Sequence, residues 1–373
     1  MAYVNFSYDV LHQFCLDAFE KFGFSKEDAD IIQDVLLLSD LYGIESHGMQ
    51  RMYRYFRGIQ TGSIVIDAKP EVVFDTPVTA VVDGHNAMGQ LVGYKAMQLA
   101  IEKAKKSGVG IVSARNSNHY GIAGYYAMMA CHEGLIGFSS TNSEAIMVPT
   151  FGSKAMLGSN PIAVAMPAEP YNFLFDASTT VVTRGKLEMY NKLGKEVPHG
   201  WALDKVGRES TNPGYVLENI VAKTGGGIMP LGGNTEKLGS HKGYGYGMIC
   251  EIFSSILSMG TTSNFVNTGK HAGTCHGFMA INPEYFGNPE DIKAHLSKFL
   301  QELRETPKAE DQDRIYTHGE KEISAEANCL KNGIPIIDKT MVEVLEICEN
   351  LGLDFKKYFG DYKPPVDDYK SSY

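Results

Sequence analysis

Several common signatures are missing from this chain of 373 residues. Its six cysteines (Cys15, Cys131, Cys250, Cys275, Cys329, Cys348) are scattered, with no Cys-x-x-Cys pair. That pattern fits neither a zinc framework nor a disulfide scaffold, and a chain this long buries a sizeable core without staples. No apolar run approaches the ~18 residues that span a bilayer, so no membrane partner is expected. The opening residues include Tyr3, Asn5 and Asp9 in place of the basic and apolar regions of a secretory leader. Reduced thiols in a cytoplasmic protein are therefore expected. Basic residues are the minority, 34 against 44 acidic ones, for a net charge of −10. A nucleic-acid surface would show a basic patch or stripe. An anionic small substrate is still compatible, because one or two local cations make a positive pocket. The 11 histidines form no His-Glu-x-x-His and no Cys/His cluster at ligand spacing, which argues against a metal site. There is no Gly-x-Gly-x-x-Gly after a strand, so the usual dinucleotide fingerprint is absent. The residues alone name no nicotinamide cofactor. Internal repeats and low-complexity tracts are also lacking.

What is present reads as helices first and alternating strands and helices afterwards. Ser7 caps a helix whose apolar face carries Val10, Leu11, Phe14, Cys15, Ala18, Phe19 and Phe22. Ser25 opens a second with Ala29, Ile32, Val35 and Leu36, ended by Gly43. A third is expected from Ser46 to Gly58. Strands are expected at Thr79–Asp83, Val109–Ala114, Leu135–Thr141, Ile162–Met166, Phe173–Phe175 and His276–Ile281. Helices are expected at Leu91–Lys106 and Ile122–His132, with a long one near Lys242–Met259. This alternation predicts an α/β domain with a mixed, largely parallel sheet. The expected division is an N-terminal helical region (1–77), an α/β domain (78–330), and a C-terminal helix and tail (331–373) packing back on the N-terminal region. The tail is expected to be loose from Pro364.

Three constellations carry chemistry. In Ser46-His47-Gly48 with Arg51, a helix beginning at Ser46 places His47 and Arg51 one turn apart on one face. A helix N-terminus and a guanidinium together suit a carboxylate, with His47 beside the carbon where a proton moves. The plain alternative is a capping serine and a surface histidine. Asn116-Ser117-Asn118-His119-Tyr120-Gly121 ends a strand and precedes a helix, where open α/β sheets place ligands, although Asn and Ser are also ordinary turn residues. Gly239-Ser240-His241-Lys242-Gly243-Tyr244-Gly245 opens an apolar helix. Lys242 there opposes the helix dipole unless an anion is bound; a solvated lysine is the alternative. Asp176-Ala177-Ser178-Thr179-Thr180, read as capping a following helix, and the turn His318-Gly319-Glu320 gain weight only beside these.

In this order the segments resemble the malate/L-lactate dehydrogenase family of the second type, from about Phe14 to Tyr362. Further marks are Asp40, Thr141-Asn142-Ser143, Gly158-Ser159-Asn160-Pro161, Gly200-Trp201-Ala202-Leu203-Asp204 and Pro230-Leu231-Gly232-Gly233. That family includes malate, sulfolactate, ureidoglycolate and 2,3-diketogulonate dehydrogenases and a cyclic-imine carboxylate reductase. The resemblance implies a three-layer α/β/α fold unrelated to the Rossmann dehydrogenases, and a homodimer intertwined around its active sites. It implies NAD or NADP as cofactor, with NAD preferred, held by Ser143, Asp176, Ala177, Ser178, Lys242, His318, Gly319 and Glu320. His47 and His119 are both implied as candidate acid/base groups. Ser46, Arg51 and Asn160 are implied to bind substrate, with Arg51 as the carboxylate clamp. One departure is Tyr42-Gly43-Ile44-Glu45, where Glu45 puts a negative charge near an anionic substrate.

The expected reaction is hydride transfer between the nicotinamide and a small 2-hydroxy acid/2-oxo acid pair, malate/oxaloacetate or lactate/pyruvate-like. A histidine moves the proton, with an ordinary pKa near ~6.5. Reduction of a cyclic imino acid, or oxidation of ureidoglycolate, sulfolactate or a keto-sugar acid, needs the same parts. A non-catalytic ligand-binding protein is the alternative outside this class.

Overall fold

The computed structural model describes residues 3–365, so most of the expected loose tail, residues 366–373, lies outside the described residues. The chain begins with β1 (Tyr3–Phe6), α1 (Tyr8–Phe22) and α2 (Lys26–Leu41). The two helices start where their serines predict: Ser7 accepts from the Val10 amide at 3.4 Å and Ser25 from the Asp28 amide at 3.1 Å. The third helix differs. Two 3₁₀ turns, Glu45–His47 and Met49–Arg51, precede α3 (Met52–Gln60). The cause is Asp40, whose carboxylate accepts the Met49 amide at 2.7 Å. A β-carbon on Gly48 would come within 2.0 Å of that carboxyl group. His47 and Arg51 thus sit on separate turns, and no helix N-terminus opens at Ser46. Burial pushes the Asp40 carboxyl up to about 8.

Next come β2 (Glu71–Asp75), β3 (Thr79–Asp83), α4 (Gly89–Ser107), β4 (Val109–Ser117), α5 (Ala123–His132), β5 (Ile136–Thr141), β6 (Ile162–Met166) and β7 (Phe173–Ala177). A smaller lobe follows: α6 (Arg184–Lys192), β8 (Ala202–Leu203), α7 (Pro213–Ala222) and β9 (Gly227–Ile228). The chain ends with α8 (Ser240–Glu251), β10 (Thr274–Ile281), α9 (Pro289–Glu305), α10 (Glu320–Asn332), β11 (Ile334–Ile337), α11 (Asp338–Leu351) and α12 (Phe355–Phe359).

The central seven-stranded sheet has the order β2-β3-β4-β10-β5-β6-β7. It is mixed, but only β3 and β4 pair in parallel; every other neighbouring pair is antiparallel. The expectation of a largely parallel sheet is corrected here. β4 and β5 do run the same way across α5, as the alternation suggests. They are not neighbours, however, because β10 returns from far along the chain and lies antiparallel between them. Glycines let the helices approach. A β-carbon on Gly110 would lie 2.0 Å from the Ala100 carbonyl of α4, and one on Gly137 2.1 Å from the Ala127 carbonyl of α5. Val112, Phe278 and Ala280 pack with Met97, Tyr126 and Ala127 on that face. On the opposite parity of β10, a β-carbon on Gly277 would lie 2.6 Å from the Phe253 carbonyl, which also accepts from Ser113 Oγ at 2.7 Å. Phe253 belongs to a π-helical stretch, Ile252–Ile256, that continues α8. Ser254 and Ser255 bond the carbonyls of Cys250 and Glu251 four residues back, a bonding mode that bends helices.

The chain ends meet. β11 pairs antiparallel with β1, and Ile334, Ile336, Met341, Val344 and Ile347 share one core with Phe14, Phe19 and Leu36. Among the described residues, no helix is long and apolar enough to cross a membrane, and no cluster of His, Cys, Asp or Glu is placed to hold a metal.

Candidate active site

A cleft of about 380 Å³ lies where β4 and β5 end, facing the 3₁₀ turns. Ser46, His47, Arg51 and Arg54 form one wall; His119, Tyr120 and Gly121 follow β4, and Thr141 to Glu144 close β5. The structure brings the two candidate histidines together, with ring centroids 5.4 Å apart and planes tilted by 31°. His47 Nδ1 shares a hydrogen bond with Ser46 Oγ at 2.9 Å, and His119 Nδ1 shares one with the Tyr55 hydroxyl at 2.8 Å. Arg51 Nε donates to the Ser46 carbonyl at 2.5 Å, which fixes the guanidinium and the turn that carries His47. Glu45 is absent from the cleft lining and accepts from the Tyr3 hydroxyl. Its charge is drawn to the N-terminal strand.

Both histidines depart from ordinary titration. Burial, then Arg51 and Arg54, holds His47 down to about 3. Burial, then Arg54, His47 and Arg51, holds His119 well below its usual range. Both are neutral at pH 7, in place of the half-titrated group expected from the residue type. Two rings this close do not both carry a proton readily, so they titrate as a coupled pair.

Much of the polar loop after β4 braces the fold. Asn118 Nδ2 donates to the carbonyls of Asn86 and Ala87, both at 2.9 Å, and Asn116 Nδ2 donates to Asp83. Ser117 Oγ meets His276 Nε2 at 2.8 Å; His276 Nδ1 meets Thr141 Oγ1, also at 2.8 Å. His276 is fully buried and stacks on Tyr120, centroids 4.3 Å apart. It ties the ends of β4 and β5 together under the cleft. Asn160 also proves to be a brace. It is fully buried; its Oδ1 accepts from the Ser143 amide at 3.1 Å, and its Nδ2 donates to Gly247 and Glu251. With both ends of its amide engaged, Asn160 supports Ser143.

A family model described as malate/L-lactate dehydrogenase matches residues 6–345. The chain belongs to the malate/L-lactate dehydrogenase family. It is 46% identical to a malate dehydrogenase of Pyrococcus abyssi over 94% of this chain and 96% of that one. An L-sulfolactate dehydrogenase of Methanocaldococcus jannaschii is 37% identical, over 92% and 96% of the two chains. The crystal structure of malate dehydrogenase from Entamoeba histolytica superposes with a TM-score of 0.91 at 36% identity, covering 95% of this chain and 99% of that one. The protein is an enzyme of the 2-hydroxyacid dehydrogenase kind, and dehydrogenases of this family suggest a nicotinamide cofactor.

The residues implied for that cofactor fall in two groups. Ser143 lines the cleft, and its Oγ accepts from the Ser159 amide at 3.1 Å. Thr179 bonds the Ser159 carbonyl on one side and the Leu231 amide on the other, linking Ser143 and Ser178 to the segment before α8. Lys242 is exposed on the first turn of α8. Asp176 lies inside β7 and accepts the Gly124 amide at 2.6 Å. It therefore caps α5, not a helix of its own, and burial raises its carboxyl to about 6. His318 is exposed, edge-on to Phe173 and Phe175, with its carbonyl accepting the Leu174 amide at 3.2 Å. Gly319 runs beside β7, at φ 102, where a β-carbon would meet the Asn172 carbonyl at 2.9 Å. Glu320 is 5% exposed and engaged by Arg304, Arg314 and Thr317, so its carboxylate organises this turn.

Arg54, Tyr55, Glu251 and His276 escape the motif reading. Arg54 follows Arg51 at helical spacing, a signal legible in the sequence. Glu251 and His276 are single polar residues in apolar segments, and only the folded chain shows what they and Tyr55 meet.

Proposed function

We propose that this dehydrogenase interconverts malate and oxaloacetate, with NAD as hydride carrier. The observation that supports this reading most is the convergence of Arg51 and Arg54 on the histidine pair in one cleft. Arg51 clamps the carboxylate next to C2, and Arg54 receives the distal one. Each histidine spends Nδ1 on an internal partner, so Nε2 is assigned to the substrate. In oxidation the hydroxyl proton passes to one Nε2 as hydride leaves C2 and the carbonyl forms. Reduction returns the same proton.

The cofactor residues fit a dinucleotide. Ser143 and Ser178 offer hydroxyls, the 176–178 edge offers backbone groups, and Lys242 at the start of α8 offers a cation for a pyrophosphate. When bound, the nicotinamide supplies and accepts the hydride. Of these residues Lys242 carries the fixed positive charge and is assigned to the pyrophosphate, which favours NAD over NADP. The homodimer belongs to the same proposal. Ile249, Ile252, Ile256 and Leu257 lie 38–50% exposed along α8 and its continuation, an apolar surface suited to a second copy.

Initial rates with NAD and either malate or lactate test the substrate assignment. Losing a charge-assisted contact costs about 1.5–3 kcal/mol, so kcat/KM is expected to favour malate by roughly 10–150-fold. Arg54→Met is expected to shrink that ratio. Equal kcat/KM for the two acids in the parent enzyme would remove the second-carboxylate role.

The pH dependence carries a sign. In the free enzyme the histidine pair is depressed, so the acid limb of kcat/KM for malate oxidation is expected below pH ~6.5. Bound dicarboxylate offsets the two guanidiniums and raises the histidine pKa, so the limb of kcat is expected at higher pH. The reverse order of the two limbs would contradict the assigned electrostatics.

A further inference from the structure

A second cleft, of about 370 Å³, lies against the first and shares Arg54, His119 and Asn267 with it. Its outer part is built from the end of α3 and the loop before β10. Arg57, Lys270 and His271 line it together with Arg54, and no Asp or Glu is among its lining residues. Acidic residues outnumber basic ones in the chain as a whole, so this local reversal of sign stands out. Two contacts give the mouth a fixed shape: Arg57 Nη1 donates to Gln60 Oε1 at 2.7 Å, and His271 Nδ1 lies 3.3 Å from the Ser63 carbonyl. Arg57 and Lys270 are exposed.

We infer that this cleft is an anion-capturing antechamber through which the negatively charged hydroxy acid reaches the histidine pair. The inference rests on the reading that the catalytic cleft takes an anionic substrate. A chain of net charge −10 repels such a molecule at long range. A cleft of one sign, walled by protein, concentrates it locally and raises the rate of capture. Arg54, common to both clefts, hands the carboxylate from the outer cations to the inner site. Capture affects encounter and not the bound state, so it acts on kcat/KM and leaves kcat alone. It also weakens as salt screens the charges.

The test uses the full-length enzyme and a double variant, Arg57→Gln with Lys270→Gln, assayed with malate and NAD across ionic strength. The parent is expected to lose kcat/KM steadily as salt rises. The double variant is expected to be about tenfold lower at low salt, to converge with the parent at high salt, and to keep kcat and the KM for NAD. A salt-independent parent, or a double variant equal to it, overturns the inference. A raised KM for NAD with that for malate unchanged also overturns it, giving the cleft to the cofactor. Calorimetric titration of inorganic phosphate separates this inference from the catalytic reading. If the parent turns over no hydroxy acid, the function proposed above fails, while phosphate binding lost in the double variant still supports an anion site. Equal phosphate binding by both proteins counts against it.

Discussion

Alanine at His47 and alanine at His119 will each lower turnover of malate, one of them by about 10²–10⁴-fold, the usual contribution of a positioned acid/base group. The rings lie 5.4 Å apart in one cleft, under the influence of the same two arginines. The residue that takes the proton carries the larger loss; its neighbour loses less, through altered electrostatics and packing. Because groups acting as a unit are strongly non-additive, the double variant should be scarcely slower than the worse single one. Steady-state rates at saturating malate and NAD decide the matter. Both single variants within about threefold of the parent would remove the histidines from proton transfer.

Glu251→Ala should be the most destabilising single change near the site. The carboxylate is 3% exposed and accepts from Ser255 Oγ, Ser263 Oγ, the Ser263 amide, Asn160 Nδ2 and, at 3.5 Å, Asn142 Nδ2. Truncation leaves the Ser263 amide without its acceptor and takes one of two acceptors from each of the other donors, at roughly 1–3 kcal/mol for each group left unsatisfied before relaxation. Water entering the space offsets part of this, so a loss of about 3–5 kcal/mol in chemical denaturation is expected. Asn160 carries Ser143, so the KM for NAD should rise as well, in a protein that is still folded. Glu251→Gln should fare little better, because the oxygen it replaces with an amide sets a donor against either the Asn142 or the Asn160 amide. A loss below about 1 kcal/mol for the alanine variant would mean that the network supplies no net stability.

The sequence shows local features well and distant ones poorly. Ser7 and Ser25 cap helices because the signal and its target are three residues apart. Ser46 fails as a cap because Asp40, on the preceding helix, claims the turn at Gly48, a contact that no helical periodicity reveals. The strands β4 and β5 are readable from alternation, but β10 between them is a pairing of residues more than a hundred positions apart. The cleft wall was legible because Ser46, His47, Arg51 and His119 sit in short motifs. Asn160 and Glu320 also sit in short motifs, but both are buried with their polar atoms engaged. A polar residue inside a motif looks available until burial shows that its hydrogen bonds are already used. Glu251 and His276 give no signal in the sequence, because one polar side chain in an apolar helix or strand has no visible partner until the fold supplies it.

The late arrival of β10 has a consequence for synthesis. Until Thr274–Ile281 has left the ribosome, the facing edges of β4 and β5 have no strand between them, and the sheet exists only as two incomplete pieces. Open edges of this kind invite pairing with other chains. A nascent or prematurely terminated polypeptide that stops before Thr274 is therefore a ready template for aggregation, however well its helices have formed.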